Sequence, residues 1–148
     1  TADFRPARGV VVAGSYTRLM TRVDDPGFSS GAGDAFVDGK QLIRRPRHSA
    51  RLDARGRLLD RIGVGLGVTY LGRRTDVDFR PFPSVRTALP GVVTLDADAE
   101  LDLIRPAAGR PWVTATLRAE NLTDRRYETV VGFRGRGRAV YAGARVGL

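Results

Sequence analysis

Apolar and polar side chains alternate with a period of two along much of this chain, most sharply in residues 93–103. There Val93, Leu95, Ala97, Ala99, Leu101 and Leu103 fall on one side of an extended backbone; Thr94, Asp96, Asp98, Glu100 and Asp102 fall on the other. Successive side chains of a strand point to opposite faces, so the segment predicts a β-strand with one apolar and one wet face. Residues 49–58 repeat the pattern, with Ala50, Leu52, Ala54, Gly56 and Leu58 opposed to Arg51, Asp53, Arg55 and Arg57. Residues 62–71 oppose Ile62, Val64, Leu66, Val68 and Tyr70 to Gly63, Gly65, Gly67 and Thr69. A further strand runs from Trp112 to about Asn121, with Val113, Ala115, Leu117 and Ala119 apolar. Residues 138–148 set Val140, Ala142, Ala144, Val146 and Leu148 against Tyr141, Gly143, Arg145 and Gly147. Residues 9–23 predict a first strand, whose Val10-Val11-Val12 start blurs its faces. The fold class is therefore all-β, with six antiparallel strands.

Register follows from the same pattern, because a one-residue slip would turn an apolar face to the wrong side. The three-residue turn at residues 59–61 puts Leu58 opposite Ile62, so paired residue numbers in that hairpin should sum to about 120. The glycines of residues 62–71 then lie beside Arg51, Asp53, Arg55 and Arg57 and leave room for those long side chains. Charges this dense on one face are intolerable in a dry core unless paired, and comfortable against water.

The connections alternate in length. Residues 24–47, 72–91 and 120–138 are long and rich in Gly, Pro, Ser or charge, whereas 59–61 and 105–111 are short. Long loops at one end and short turns at the other are the asymmetry of outer-membrane barrels. Strands of about 10 residues can cross a bilayer at a tilt. The chain has no apolar run near the roughly 18 residues that a membrane helix needs. Six strands do not close a barrel, and an open edge in lipid leaves amides unpaired. The missing strands are expected upstream in a longer parent chain. The opening TADFRPARG, which has no charged segment followed by an apolar one, adds to that expectation.

Composition narrows the candidate chemistry. The chain has 148 residues and a net charge of +9, carried by Arg, since Lys40 is the only lysine. Such a balance raises nucleic-acid binding as an alternative function. The charges, however, are spaced along strand faces or gathered in loops, which suits a watery lumen and anionic lipopolysaccharide. GFRGRGR (residues 132–138) is read the same way, as an outer loop touching lipid phosphates. There are no cysteines, hence no disulfides and no thiolate chemistry. Same-face residues on one strand lie about 6.5–7 Å apart, so the acidic ladder Asp96, Asp98, Glu100 and Asp102 cannot grip one metal ion together. Pairing with Arg118, and with Arg51 or Arg55 reaching over the glycines, is expected instead. His48, the only histidine, has no nucleophile–acid pair around it, so no enzyme activity is expected, and no cofactor. Tyr70, Trp112 and Tyr127 fall near strand ends, where an interfacial aromatic girdle belongs. Arg73, Arg74, Asp76, Asp78, Phe79, Arg134 and Arg136 are the candidate ligand contacts at the outer mouth.

Two motifs carry a family resemblance. Residues 120–138 contain an Asn-Leu-x-Asp-x-x-Tyr run and a Gly-Arg pair: Asn121, Leu122, Asp124, Tyr127, Gly137 and Arg138. With the strand that follows, this resembles the end of a TonB-dependent outer-membrane receptor, although Leu148 stands where such barrels commonly have Phe or Trp. Residues 39–49 contain Leu-x-Arg-Arg-Pro-x-His (Leu42, Arg44, Arg45, Pro46 and His48), which resembles a segment of cobalamin and siderophore receptors. The resemblance implies that residues 1–148 are the C-terminal part of a barrel of about 22 strands. The plug domain and N-terminal strands would lie elsewhere in the parent. It implies active uptake of a metal chelate, siderophore-iron or cobalamin-like, and an outer-membrane location. The implied partners are the upstream strands and plug, membrane lipid and lipopolysaccharide. TonB would be met only through the part not in this chain. The nucleic-acid alternative and an enzymatic barrel both leave unexplained why the apolar faces keep step from strand to strand.

Overall fold

A computed structural model of the chain describes residues 2–7, 9–28, 31, 33–105 and 110–147, and among these there is no helix. Leu148 and the middle of the 105–111 turn lie outside the described residues. The strands are β1 (Ala2–Ala7), β2 (Val10–Arg18), β3 (His48–Leu58), β4 (Ile62–Leu71), β5 (Arg74–Asp78), β6 (Val85–Leu89), β7 (Val92–Ile104), β8 (Trp112–Glu120), β9 (Glu128–Val130), β10 (Phe133–Arg134) and β11 (Ala139–Gly147). Seven of them form one antiparallel sheet in the order β1-β2-β3-β4-β7-β8-β11. The others make two small hairpins, β5–β6 and β9–β10, within the long connections.

The six expected strands are present, and a seventh, β1, precedes them. Pro6 interrupts its pattern, as an edge strand tolerates, and its register shifts between Phe4 and Ala7. The first expected strand is shorter than residues 9–23. It ends at Arg18, after which the chain turns away to bond Leu19 N to Arg47 O (2.8 Å) and Val23 N to Lys40 O (2.9 Å).

Registers follow the apolar pattern throughout. β3 and β4 pair from Ser49↔Leu71 to Leu58↔Ile62, the sum of 120 that the short turn implies. Leu66 then faces Ala97, Ala99 faces Leu117, and Leu117 faces Ala142, so one side of the sheet is apolar from β3 to β11. Pairing also resolves β2: Val12 and Gly14 join that side, while Val11 and Ala13 lie beside Arg55 and Asp53. Among the described residues no second layer covers this apolar side. Leu52, Leu66 and Leu117 are each about half exposed and Val146 is 71% exposed, whereas the buried apolar residues, Val23, Val77 and Leu89, all lie in the connections. A continuous bare apolar face of this size is not stable against water; it requires hydrocarbon.

The opposite side is charged, and glycine makes it possible. Gly65 lies between Arg55 and Asp98, and Gly67 between Asp53 and Asp96. A Cβ at Gly67 would stand 3.1 Å from Asp53 Oδ1 and 3.2 Å from Arg51 Nη2. The ion pair that spans the glycine strand is made by Arg57 with Asp102, and the second Asp102 oxygen accepts from Thr114 Oγ1 at 2.7 Å. Neither Arg51 nor Arg118 makes the expected bridge to the ladder. Each is taken by a nearer carboxylate two positions along its own strand, Arg51 by Asp53 (2.6 Å) and Arg118 by Glu120 (2.9 Å). Glu100 pairs with Arg145 at 2.6 Å. Two aromatic expectations change with the register. Tyr70 is on the apolar side, but Trp112 is on the charged side, its ring against Gly147. Tyr127 packs inside a loop against Gly135. Tyr16, on the apolar side, instead stacks with His48 and hydrogen-bonds its Nδ1 at 2.6 Å.

Candidate functional site

Antiparallel pairing gathers all three long connections at one end of the wall, and the β5–β6 hairpin stands between the other two. Its antiparallel register puts Arg74, Asp76 and Asp78 on the same side as Leu89, Thr87 and Val85. Asp76 is completely buried. Its Oδ1 accepts from Arg44 Nε and from Val77 N, each at 2.8 Å, and its Oδ2 accepts from Val131 N at 2.8 Å. Arg44 reaches it from a left-handed backbone position (φ 60°), while its own amide donates to Thr75 O at 2.7 Å. Burial alone would raise the Asp76 carboxyl; the Val131 amide, the Arg44 guanidinium and the Val77 amide outweigh burial and hold it below the usual carboxylate value.

The hairpin's arginines complete the grip. Arg74, 4% exposed, donates from Nη2 to the carbonyls of Glu128 and Thr129, while its buried Nη1 has no hydrogen-bond partner among the described residues. Burial lowers the affinity of that guanidinium for its proton, offset in part by Asp76 and Tyr127. Arg86 donates to Asp34 O (2.9 Å), Ala35 O (3.0 Å) and Gln41 O (3.1 Å) on the other neighbouring connection. Ser84 Oγ bonds Gly33 O at 3.0 Å, and a Cβ at Gly33 would overlap the Ser84 carbonyl.

The Asn-Leu-x-Asp-x-x-Tyr run closes the last long connection onto the wall. Asn121, 5% exposed with φ 48°, donates from Nδ2 to Arg125 O and Arg136 O, each at 3.0 Å. Its Oδ1 accepts from Arg125 N at 2.9 Å, and its amide donates to Asp96 at 2.9 Å. Leu122 N bonds Leu95 O at 2.7 Å, and Asp124 Oδ1 accepts from Arg138 N at 2.9 Å. Gly137 is required beside Asp124, because a Cβ there would lie 3.1 Å from its Oδ1. These motif residues are thus a backbone clasp. In the other motif Arg44 holds Asp76, Pro46 is half-buried, Arg45 is exposed, and His48 meets Tyr16 at the edge of the wall.

The candidate ligand contacts divide. Arg73, Phe79 and Arg134 are exposed; Asp78 is paired with exposed Arg80 at 2.7 Å. Arg136 bonds Glu120 (3.2 Å) and Tyr141 Oη (2.6 Å) at the rim of a trough of about 750 Å³ on the charged side. Arg74 and Asp76 do not face outward, contrary to expectation. Both are buried and consumed in holding the hairpin's neighbours. Arg86 and Asn121 Nδ2 do comparable work that the sequence reading missed. The available signal for the hairpin was the pair of short segments 74–78 and 85–89 around the proline-containing turn Pro81-Phe82-Pro83-Ser84.

No protein-family model matches the chain. It is 30% identical over 103 residues to the vitamin B12 transporter BtuB of Vibrio cholerae serotype O1, an alignment covering 70% of this chain and 16% of that protein. The chain thus spans about one sixth of the length of the curated relatives it matches. The siderophore receptor PiuA from Acinetobacter baumannii superposes with a TM-score of 0.73 at 23% identity, over 97% of this chain and 20% of that one. The ferripyoverdine receptor of the outer membrane of Pseudomonas aeruginosa gives 0.73 at 18% identity, over 97% and 18%. The ferric-catecholate import receptor Fiu from K12 E. coli gives 0.64 at 19% identity, over 97% and 19%.

Proposed function

We propose, since the chain belongs to the barrel wall of the TonB-dependent outer-membrane receptors, that its parent protein actively takes up a metal chelate, siderophore-iron or cobalamin-like. In this reading residues 1–148 are the C-terminal part of the barrel. They supply wall, lumen surface and three connections that face the outside, while plug and remaining strands come from the rest of the parent. The carrying observation is the two-sided sheet: an uncovered apolar side in register from strand to strand, backed by a charged side lined with glycine. Its relatives are transporters and receptors, and the name of the aligned one points to cobalamin. The set left for ligand contact is exposed Arg73, Phe79, Arg134 and Arg136 with half-buried Asp78, and Arg73 and Arg134 are also suited to phosphates of lipopolysaccharide. TonB would engage the part outside this chain. The nucleic-acid alternative expects arginines converging on one surface and free to meet phosphates; on the charged side Arg51, Arg57, Arg118 and Arg145 are each paired with a carboxylate, which favours the receptor.

The test is uptake by the complete parent receptor in a Gram-negative strain lacking its own cobalamin and siderophore receptors. Labelled cyanocobalamin and a panel of ferric siderophores are supplied, with and without the inner-membrane energy source. Energy-dependent accumulation of one of them is expected. Failure with all of them in cells where the barrel is folded would overturn the reading.

A further inference from the structure

We propose that Asp76 is a positioning residue that locks the two long connections flanking its hairpin into one arrangement before any chelate arrives. The inference rests on the proposal above that this end of the wall meets the ligand. Its physical basis is independent of which chelate that is.

The connections contain very little apolar burial: among the described residues only Val23, Val77 and Leu89 qualify. Hydrophobic packing on that scale cannot fix three segments, so polar contacts must hold them. A completely buried carboxylate is costly unless its lone pairs are used. Here they are used by three donors from three places: Arg44 from one connection, Val77 from the hairpin itself, and Val131 from the other connection. An ionised carboxylate only accepts, and it does so at both oxygens. No neutral residue of the same shape can replace it. In Asn the amide NH2 must face either the Val131 N–H or the pair formed by Arg44 and Val77, donor against donor. Arg74, two residues earlier on the same side of the strand, holds the carbonyls of residues 128 and 129 close to the amide that Asp76 receives. The hairpin therefore seizes one loop through both its acceptors and its donor. A surface fixed in advance spares a ligand the ordering cost of three mobile loops.

The experiment uses the complete receptor, purified and in cells, as wild type, Asp76→Asn and Arg44→Gln. Hydrogen exchange of the ligand-free protein is followed in peptides covering residues 40–47, 128–135 and the strands. Asp76→Asn should raise exchange in 128–135 by about tenfold or more, the effect of losing a hydrogen bond to a charged group, with the strands unchanged. Arg44→Gln should raise it in 40–47 and spare 128–135. For the chelate that the wild type accumulates, Asp76→Asn should raise the half-saturating concentration severalfold with the maximal rate retained, whereas mere loss of folded receptor would lower the maximal rate. Unchanged exchange in 128–135 for Asp76→Asn overturns the proposal. Should Asp76→Asn fail to fold, unchanged exchange in 40–47 for Arg44→Gln overturns it. Exchange that rises as expected in a receptor taking up none of the chelates offered leaves the locking role standing and sinks the uptake reading instead.

Discussion

The wall and the loop cluster solve opposite problems. The wall leaves its large aliphatic side chains bare and gathers its charges on the other side, so its cohesion comes from the backbone ladder and from an environment that differs between its two faces. The cluster has a buried interior, but one built around the Asp76 carboxylate and the guanidinium groups of Arg44, Arg74 and Arg86. In the wall a side chain's face decides its fate almost regardless of identity. In the cluster identity decides, because each polar atom has an assigned partner. The two regions therefore differ in what breaks them.

The largest effect is expected from reversing a face in the wall. Leu66→Arg puts a cation on the apolar side near the middle of β4 and should cost about 2–4 kcal/mol, as charges at the bilayer midplane do in such barrels. Thr116→Arg places the same side chain on the charged side and should stay within about 0.5 kcal/mol. Denaturant-dependent folding into lipid vesicles measures both. Equal costs would mean that the two sides meet the same solvent, and the distinction drawn here would be gone.

A smaller effect tests whether the charged side of the wall contains any cluster-like contact. Asp102 is the candidate: its side chain is 9% exposed and held by Arg57 and Thr114. Arg57→Ala strands a nearly buried carboxylate and should cost about 1–3 kcal/mol, moderated because Arg57 itself is half exposed. Adding Asp102→Asn should recover more than half of that loss in the same refolding assay. Additive losses would show that the pair is incidental. Arg55→Ala, with no carboxylate recorded against it in the wall, should cost less than Arg57→Ala.

The same contrast explains what the sequence disclosed. Period-two alternation, one short turn and even registers placed β3, β4, β7, β8 and β11 and both sides of each, because in a one-layer wall the face is the whole environment. β1 escaped notice because Pro6 and a register shift spoil its alternation. The motif residues Asn121, Asp124, Gly137 and Arg44 were legible as a pattern, but their work was not. A clasp depends on which backbone amide comes within reach of a side chain, and that distance is set by tertiary structure. Arg74 and Asp76 were misjudged for a related reason: charged residues in a loop are ordinarily exposed, and only the flanking connections, folded against the hairpin, cover these two.

The finest test separates two carboxylates two residues apart on β5. Asp76 is buried among donors from three segments, and Asp78 is half-buried and paired with exposed Arg80. Asp78 is held down to about 2, first by the side-chain hydrogen bond from Arg80 and then by its backbone amide. A larger shift does not make it the more important group, because an exposed ion pair is screened and competes with water. Both shifts have the same sign. A carboxyl depressed by folding contributes stability above its unfolded value, 3.8, and loses that contribution as pH falls through its lower folded value. Pepsin should spare residues 121–138 near pH 5 and cut them increasingly as pH drops below 3.8, while the strands resist. Asp76→Asn should be cut already at pH 5. Asp78→Asn should follow the wild-type curve, with no more than a slight change at the tip of its own hairpin. If Asp78→Asn shifts cleavage of 121–138 as far as Asp76→Asn does, burial is not what distinguishes the two, and charge anywhere on the hairpin suffices to hold its neighbours.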